Sequence, residues 1–150
     1  MTVVIVIINS TNNDELEIVS VSNINDGIVL EDLKEISNLN SNEKFIILNI
    51  WASWCIPCQN EVSELKILSE NKEYYVIGIL VEDSKENGKE FIIKNEISYQ
   101  NILDSTVAES ILIQFIWSGI PTTLVLDNNF EIISTINGEI TANEIFELTR

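Results

Sequence analysis

Both cysteines of the chain stand in one short stretch, "NIWASWCIPCQNE" from Asn49 to Glu61, with two residues between Cys55 and Cys58. A disulfide that closes so small a loop removes little chain entropy, so a purely structural staple is a poor use of the pair. A closed zinc site wants four ligands, and the chain has no histidine and no further cysteine. Zinc would therefore require two subunits to pool their pairs. Cysteines also sit in cores as small hydrophobes. The remaining use is thiol–disulfide exchange, in which one thiolate attacks and the second cysteine resolves the mixed disulfide.

That chemistry depends on where the pair is held. "FIILNI" (Phe45–Ile50) is a short apolar run rich in β-branched residues, the pattern of a central strand buried on both faces. After the cysteines, Val62, Leu65 and Leu68 recur at helical spacing, which predicts an amphipathic helix of about four turns starting near Cys55 or Ile56. Cys55 then lies where a strand ends and a helix begins. Unpaired N–H groups and the positive end of the helix dipole converge there and favour thiolate over thiol. Its thiol is expected to ionise below the free value of about 8.5. Pro57 suits the first turn, where a missing N–H costs nothing.

The other elements follow from similar patterns. "LEIVSV" (Leu16–Val21) and "IVL" (Ile28–Leu30) flank Asp26-Gly27, a turn dipeptide of hairpins, and "EDLKEIS" reads as a short helix. "YYVIGILV" (Tyr74–Val81) is a second buried strand. "SKENGKEFIIKNE" and "STVAESILIQF" read as helices, the latter with Ser105 as N-cap. "TTLVLD" and "EIISTI" form a hairpin across Asp127-Asn128-Asn129, and "TANEIFELT" closes the chain as a helix with Thr141 and Glu144 as a capping box. Strands alternating with helices, then an antiparallel pair, define an α/β class with a mixed sheet and helices on both faces.

The chain has 150 residues, enough for one domain with a real core, and 24 acidic against 8 basic side chains give a formal charge of −16. Such a field repels polyphosphate, which argues against nucleic-acid binding and against a basic membrane-binding patch. Otherwise it is a solvated acidic surface. Residues 1–15 are read as an amino-terminal extension or truncated signal or anchor stub, and 16–150 as the domain. The apolar run Val3–Ile8 lacks a basic flank and a cleavage site and also fits an amino-terminal strand, with "NSTNNDE" as a polar spacer in the stub reading.

"WASWCIPC" resembles the active-site motif of the thioredoxin superfamily, and the whole arrangement resembles its TlpA/ResA-like branch of thiol–disulfide oxidoreductases. "SVSNINDGIVLEDLKE" resembles that branch's amino-terminal β-hairpin and short helix, "EFIIKNEISYQNILDSTVAESILIQF" its inserted strand–helix segment, and "GIPTTLVLDNNFEI" its cis-proline loop and final hairpin. The resemblance implies a thioredoxin-like fold and a protein disulfide reductase in which Cys55 attacks, Cys58 resolves and Glu61 moves protons. It places Asn49 where thioredoxins proper carry an aspartate. It further implies that Trp54, Ile56, Pro57, Ile120, Pro121 and Thr122 form the substrate-binding rim, with Ile120 pairing to the substrate backbone beside a cis-Pro121. Trp51 reads as packing beneath the site. Trp117 stands where the branch has a smaller aliphatic residue, and either fills the groove or packs.

The same resemblance implies no cofactor beyond the cysteine pair and no metal. It implies a protein disulfide substrate and a membrane thiol donor as partners, a monomer, an extracytoplasmic location, and a role such as cytochrome c maturation. The reducing direction rests on "IP" between the cysteines with no histidine. Two rivals use the same fold: a non-catalytic binding or chaperone module, and a peroxiredoxin-like peroxidase. The peroxidase needs an arginine beside its cysteine, and the chain's single arginine is Arg150.

Overall fold

A computed structural model describes residues 4–7, 17–20 and 24–150. Its elements run β1 (Val4–Ile7), β2 (Glu17–Ser20), α1 (Glu31–Ile36), β3 (Phe45–Trp51), α2 (Ile56–Asn60), α3 (Val62–Glu70) and β4 (Tyr74–Leu80). They continue with α4 (Lys85–Lys94), β5 (Gln100–Ile102), α5 (Ser105–Leu112), β6 (Thr122–Asp127), β7 (Ile132–Asn137) and α6 (Ala142–Leu148). Of the stretch 1–15, Val4–Ile7 form β1, which pairs antiparallel with β2. The spacer "NSTNNDE" lies outside the described residues.

The main sheet has the order β5-β4-β3-β6-β7. β3 lies parallel to β4 and antiparallel to β6, so the sheet is mixed. Ile46, Ile47, Leu48 and Ile50 have no exposed surface, as a central strand covered on both faces requires. Each such side chain contributes about 1.5–3 kcal/mol by leaving water. Successive strand residues point to opposite faces. Ile46, Leu48 and Ile50 pack with Leu33 of α1 and Ala108 and Ile111 of α5. Ile47 packs on the other face with Leu65 and Leu68 of α3 and Ile145 of α6. Asn49, two residues after Ile47, therefore faces the α3 side. Among the described residues no helix is long and apolar enough to cross a membrane.

Three local expectations are corrected. Asp26-Gly27 does not close a hairpin between Leu16–Val21 and Ile28–Leu30: β2 takes β1 as its partner instead. Ile28–Leu30 runs as an irregular edge beside β7, with Leu30 N–H to Phe130 O at 2.9 Å and Ile132 N–H to Ile28 O at 2.8 Å. Gly27, at φ +86°, makes the bend that delivers it there. The helix after the cysteines is two helices broken at Glu61, whose N–H is shared between the carbonyls of Pro57 and Gln59. The N-cap of α5 is Asp104 rather than Ser105; its Oδ1 accepts from the N–H groups of Thr106 and Val107 at 3.0 and 3.1 Å. A carboxylate with two such bonds outcompetes a neighbouring hydroxyl for the cap. The capping box of α6 forms as expected, with Thr141 and Glu144 satisfying each other's N–H groups.

Candidate active site

The carboxyl end of β3 delivers the cysteine pair. Cys55 is the N-cap of α2 in extended conformation, and its Sγ accepts from the Cys58 N–H at 3.2 Å. Cys55 and Cys58 are joined by a disulfide, with Cα atoms 5.2 Å apart. Both are buried, in a cluster with Trp51, Ala52 and Leu80 against which Phe91, Leu103 and Ile120 pack. The helix start and a donated N–H at the sulfur are the features that stabilise a thiolate.

Trp51 packs beneath the pair, its ring 5.1 Å from that of Phe91 and its Nε1 donating to Asn101 Oδ1 at 2.9 Å. Gly78 makes room for this bond. A Cβ at that position would overlap Asn101 Oδ1 and lie 2.7 Å from the indole nitrogen. Trp54, by contrast, is 56% exposed and Ile56 63% exposed, with Pro57 exposed beside them. The Trp54 ring is not loose: its Nε1 donates to the carbonyl of Glu82 at 3.0 Å. Ser53 is tied to the same β4–α4 loop, its N–H donating to Asp83 Oδ2 at 2.8 Å and its hydroxyl donating to the same oxygen. Partial burial works against the Asp83 anion, yet hydrogen bonds from Ser53, Asn87 and Ser84 hold its carboxyl below the usual carboxylate range. No local pattern links Asp83 to a serine thirty residues earlier, so the sequence alone does not reveal this tie.

Glu61 lies one turn beyond Cys58, and its side chain turns inward rather than capping α3. It is 1% exposed. Asn49 Nδ2 donates to its Oε1 at 2.6 Å and the Ile140 N–H to its Oε2 at 3.0 Å. Asn49 is itself steadied by a second bond, to Thr123 Oγ1 on β6 at 3.1 Å. Burial pushes the Glu61 carboxyl up to about 7, the N–H groups of Asn49 and Ile140 pull it down, and Glu139 adds a smaller upward push. The break between α2 and α3 falls at the residue whose side chain is bound to β3 and to the loop before α6.

On the far side of the pair, the Ile120–Pro121 peptide bond is cis. Ile120 is half-buried, and among the described residues neither its N–H nor its C=O has a hydrogen-bond partner. Pro121 is buried, its carbonyl accepting from the Gly138 N–H at 2.9 Å. Thr122 has no exposed surface; its hydroxyl donates to Gly119 O at 2.6 Å, so it braces the loop from within. Trp117 packs against the main core. Among the described residues no group of three or more His, Cys, Asp or Glu side chains could hold a metal. The arrangement can store two electrons in the cysteine pair and one proton on the buried carboxyl of Glu61, three residues after Cys58.

Comparison with known proteins agrees with that chemistry. The model of the AhpC/TSA family matches residues 13–135. The thiol–disulfide oxidoreductase ResA of Geobacillus kaustophilus (strain HTA426) is 26% identical over 122 residues, covering 78% of this chain and 69% of that protein. Sporulation thiol–disulfide oxidoreductase A of Bacillus subtilis (strain 168) is 27% identical over 122 residues, covering 77% and 72%. The crystal structure of a secreted thiol–disulfide isomerase from Corynebacterium glutamicum superposes with a TM-score of 0.61 at 30% identity, covering 70% of this chain and 68% of that one.

Proposed function

The chain belongs to the AhpC/TSA family, sharing the thioredoxin-like fold and the cysteine pair of its thiol–disulfide oxidoreductases, and from that premise we propose that it reduces disulfides in protein substrates outside the cytoplasm. The observation that carries the reading is the buried Cys55–Cys58 pair at a helix start, followed one turn later by the buried carboxyl of Glu61.

In the dithiol form, the Cys55 thiolate attacks one sulfur of the substrate disulfide. The substrate S–S bond breaks, one substrate sulfur leaves as thiolate, and a mixed disulfide to Cys55 remains. Cys58 then gives its proton to Glu61, and its sulfur attacks the Cys55 sulfur. The Cys55–Cys58 bond forms, the second substrate sulfur leaves, and Glu61 returns the proton to it. Two electrons have passed to the substrate. A carboxyl that titrates at about 7 is matched to this duty, because it both accepts and releases a proton near neutrality. Trp54, Ile56 and Pro57 supply an apolar rim, and the free N–H and C=O of Ile120 offer a short edge for the substrate backbone. Pro121 and Thr122 hold that edge in place from below.

The reducing direction is supported by the absence of histidine and by Ile-Pro between the cysteines. A membrane thiol donor would return the pair to the dithiol state, and cytochrome c maturation is one setting that uses such a reductant. Arg150, the arginine a peroxidase would need beside its cysteine, pairs instead with Glu147.

Cys58→Ala, expressed in the native cell, leaves the mixed disulfide unresolved. Protein partners linked to Cys55 through a reducible bond are the expected result. Recovery of no such adduct, with Cys55 free and reactive, would favour the binding module. A measured reduction potential in the range of strong periplasmic oxidants would reverse the direction.

A further inference from the structure

The loop from Ile113 to Pro121 carries Ile120 to the cysteine pair, and it contains no helix or strand. Its shape is fixed at separate points along its length. Phe115 is buried in the main core, and Gly119 O accepts from the Thr122 hydroxyl. Trp117 packs on the main core, Gln114 Nε2 donates to Asp32 Oδ2 at 2.8 Å, and the Pro121 carbonyl accepts from the Gly138 N–H at 2.9 Å. A further point, midway along the loop, comes from the amino-terminal part of the chain. Asn25, in the turn before Gly27, has no exposed surface. Its Oδ1 accepts from the Ile116 N–H at 2.8 Å, and its Nδ2 donates to the Ile116 carbonyl at 2.7 Å. A single side-chain amide thus pairs both backbone groups of one residue, as an antiparallel neighbour in a sheet does. The second hydrogen of Nδ2 goes to Thr135 Oγ1 on β7 at 3.1 Å.

We propose that Asn25 is a positioning residue for disulfide exchange, holding the Ile113–Pro121 loop through Ile116 so that the Ile120 edge stands at the right height over Cys55. The inference rests on the oxidoreductase reading of that site. A buried amide with every bond made is a stiff connector, because leaving any one of those groups unpaired costs far more than a surface hydrogen bond returns. It ties the substrate edge to the amino-terminal turn and, through Thr135, to β7 of the main sheet. Asn25 touches neither cysteine in the hydrogen-bond network, so the reactivity of the sulfurs themselves does not depend on it.

The test separates backbone recognition from sulfur chemistry. The reduced protein is mixed with a decapeptide whose single cysteine is capped by 5-thio-2-nitrobenzoate, and separately with 5,5′-dithiobis(2-nitrobenzoate), which has no peptide backbone. In Asn25→Ala the rate constant for the peptide should fall about tenfold, the effect of one well-placed hydrogen-bonding edge, while that for the small disulfide stays within about twofold. Thr135→Val removes the third partner and leaves the Ile116 pairing, so its ratio of the two rates should equal that of the unmodified protein. Equal losses on both probes, no loss on either, or the same change of ratio in Thr135→Val would each overturn the proposal.

Should Asn25→Ala fail to melt cooperatively, hydrogen exchange in the unmodified protein still decides. The Ile116 amide should be protected like a ladder amide although it lies in a loop; exchange at the rate of an open loop would overturn the clamp. Protection at Ile116 with no reaction of the unmodified protein towards either probe would instead sink the oxidoreductase reading, and the positioning role with it.

Discussion

Glu61 is pulled two ways: burial favours its neutral form, and the donated N–H groups of Asn49 and Ile140 favour the anion. Burial prevails, and the carboxyl rises from 4.5 to about 7. Between those values the folded protein binds a proton that the unfolded chain has released, so its stability is greatest below the window and declines as pH rises through it. The expected decline from this group is on the order of 3 kcal/mol. Urea melts of the oxidised protein at about pH 5 and pH 8 should show it, and Glu61→Gln should flatten the difference. The same substitution should lower the rate of thiol–disulfide exchange at neutral pH on the order of a hundredfold and remove an ionisation near neutrality from the pH–rate profile. An unchanged profile would take Glu61 out of the proton path. At this scale the cysteines are legible because their type and spacing leave few uses. Glu61 is legible only through the resemblance; the sequence marks it as a helical glutamate, and the partner that most constrains it besides Asn49 is a backbone N–H at Ile140, which no side chain advertises.

The elements follow the same division between what local patterns determine and what distant partners decide. β3, β4 and β6 are visible as apolar runs because burial on both faces demands such runs. The α6 capping box is visible because its two residues are three apart in sequence. The cap of α5 is not, since Asp104 and Ser105 are both good caps and only backbone geometry chooses between them. Asp104→Ala should therefore destabilise the protein by about 1 kcal/mol, and Ser105→Ala by under about 0.5 kcal/mol, in denaturant melts. Reversal of that order would restore Ser105 as the cap. The Asp26-Gly27 hairpin failed for a different reason. The turn chemistry was sound, but Ile28–Leu30 found a longer-range partner in β7 and β2 found one in β1. The single helix expected after the cysteines gave way at Glu61, where a side chain bound to the sheet replaces the regular helical course.

Across the whole molecule, the charge of −16 is met by few contacts of opposite sign: Lys44–Glu73 and Arg150–Glu147 are the ion pairs among the described residues, and both are exposed. Exposed pairs of this kind contribute about 0–1 kcal/mol each, too little to offset repulsion spread over the surface. Raising ionic strength from about 0.01 to 0.15 M shortens the screening length from about 30 to 8 Å. The melting temperature should rise over that range, and a fall would show that the acidic surface is not self-repelling. The α/β class and the mixed sheet could be read from element order; the strand order β5-β4-β3-β6-β7 could not be read from residue patterns, because crossovers are set by packing between segments far apart in sequence. At the end of β3, Trp51 is almost wholly shielded and shares one buried cluster with Cys55 and Cys58, while Trp54 looks outward. A disulfide drains the excited state of an indole it touches, whereas two thiols do so far less. Emission from Trp51 should therefore brighten when the pair gains its electrons, giving the molecule a built-in optical gauge of its oxidation state that needs no label and can be followed during turnover.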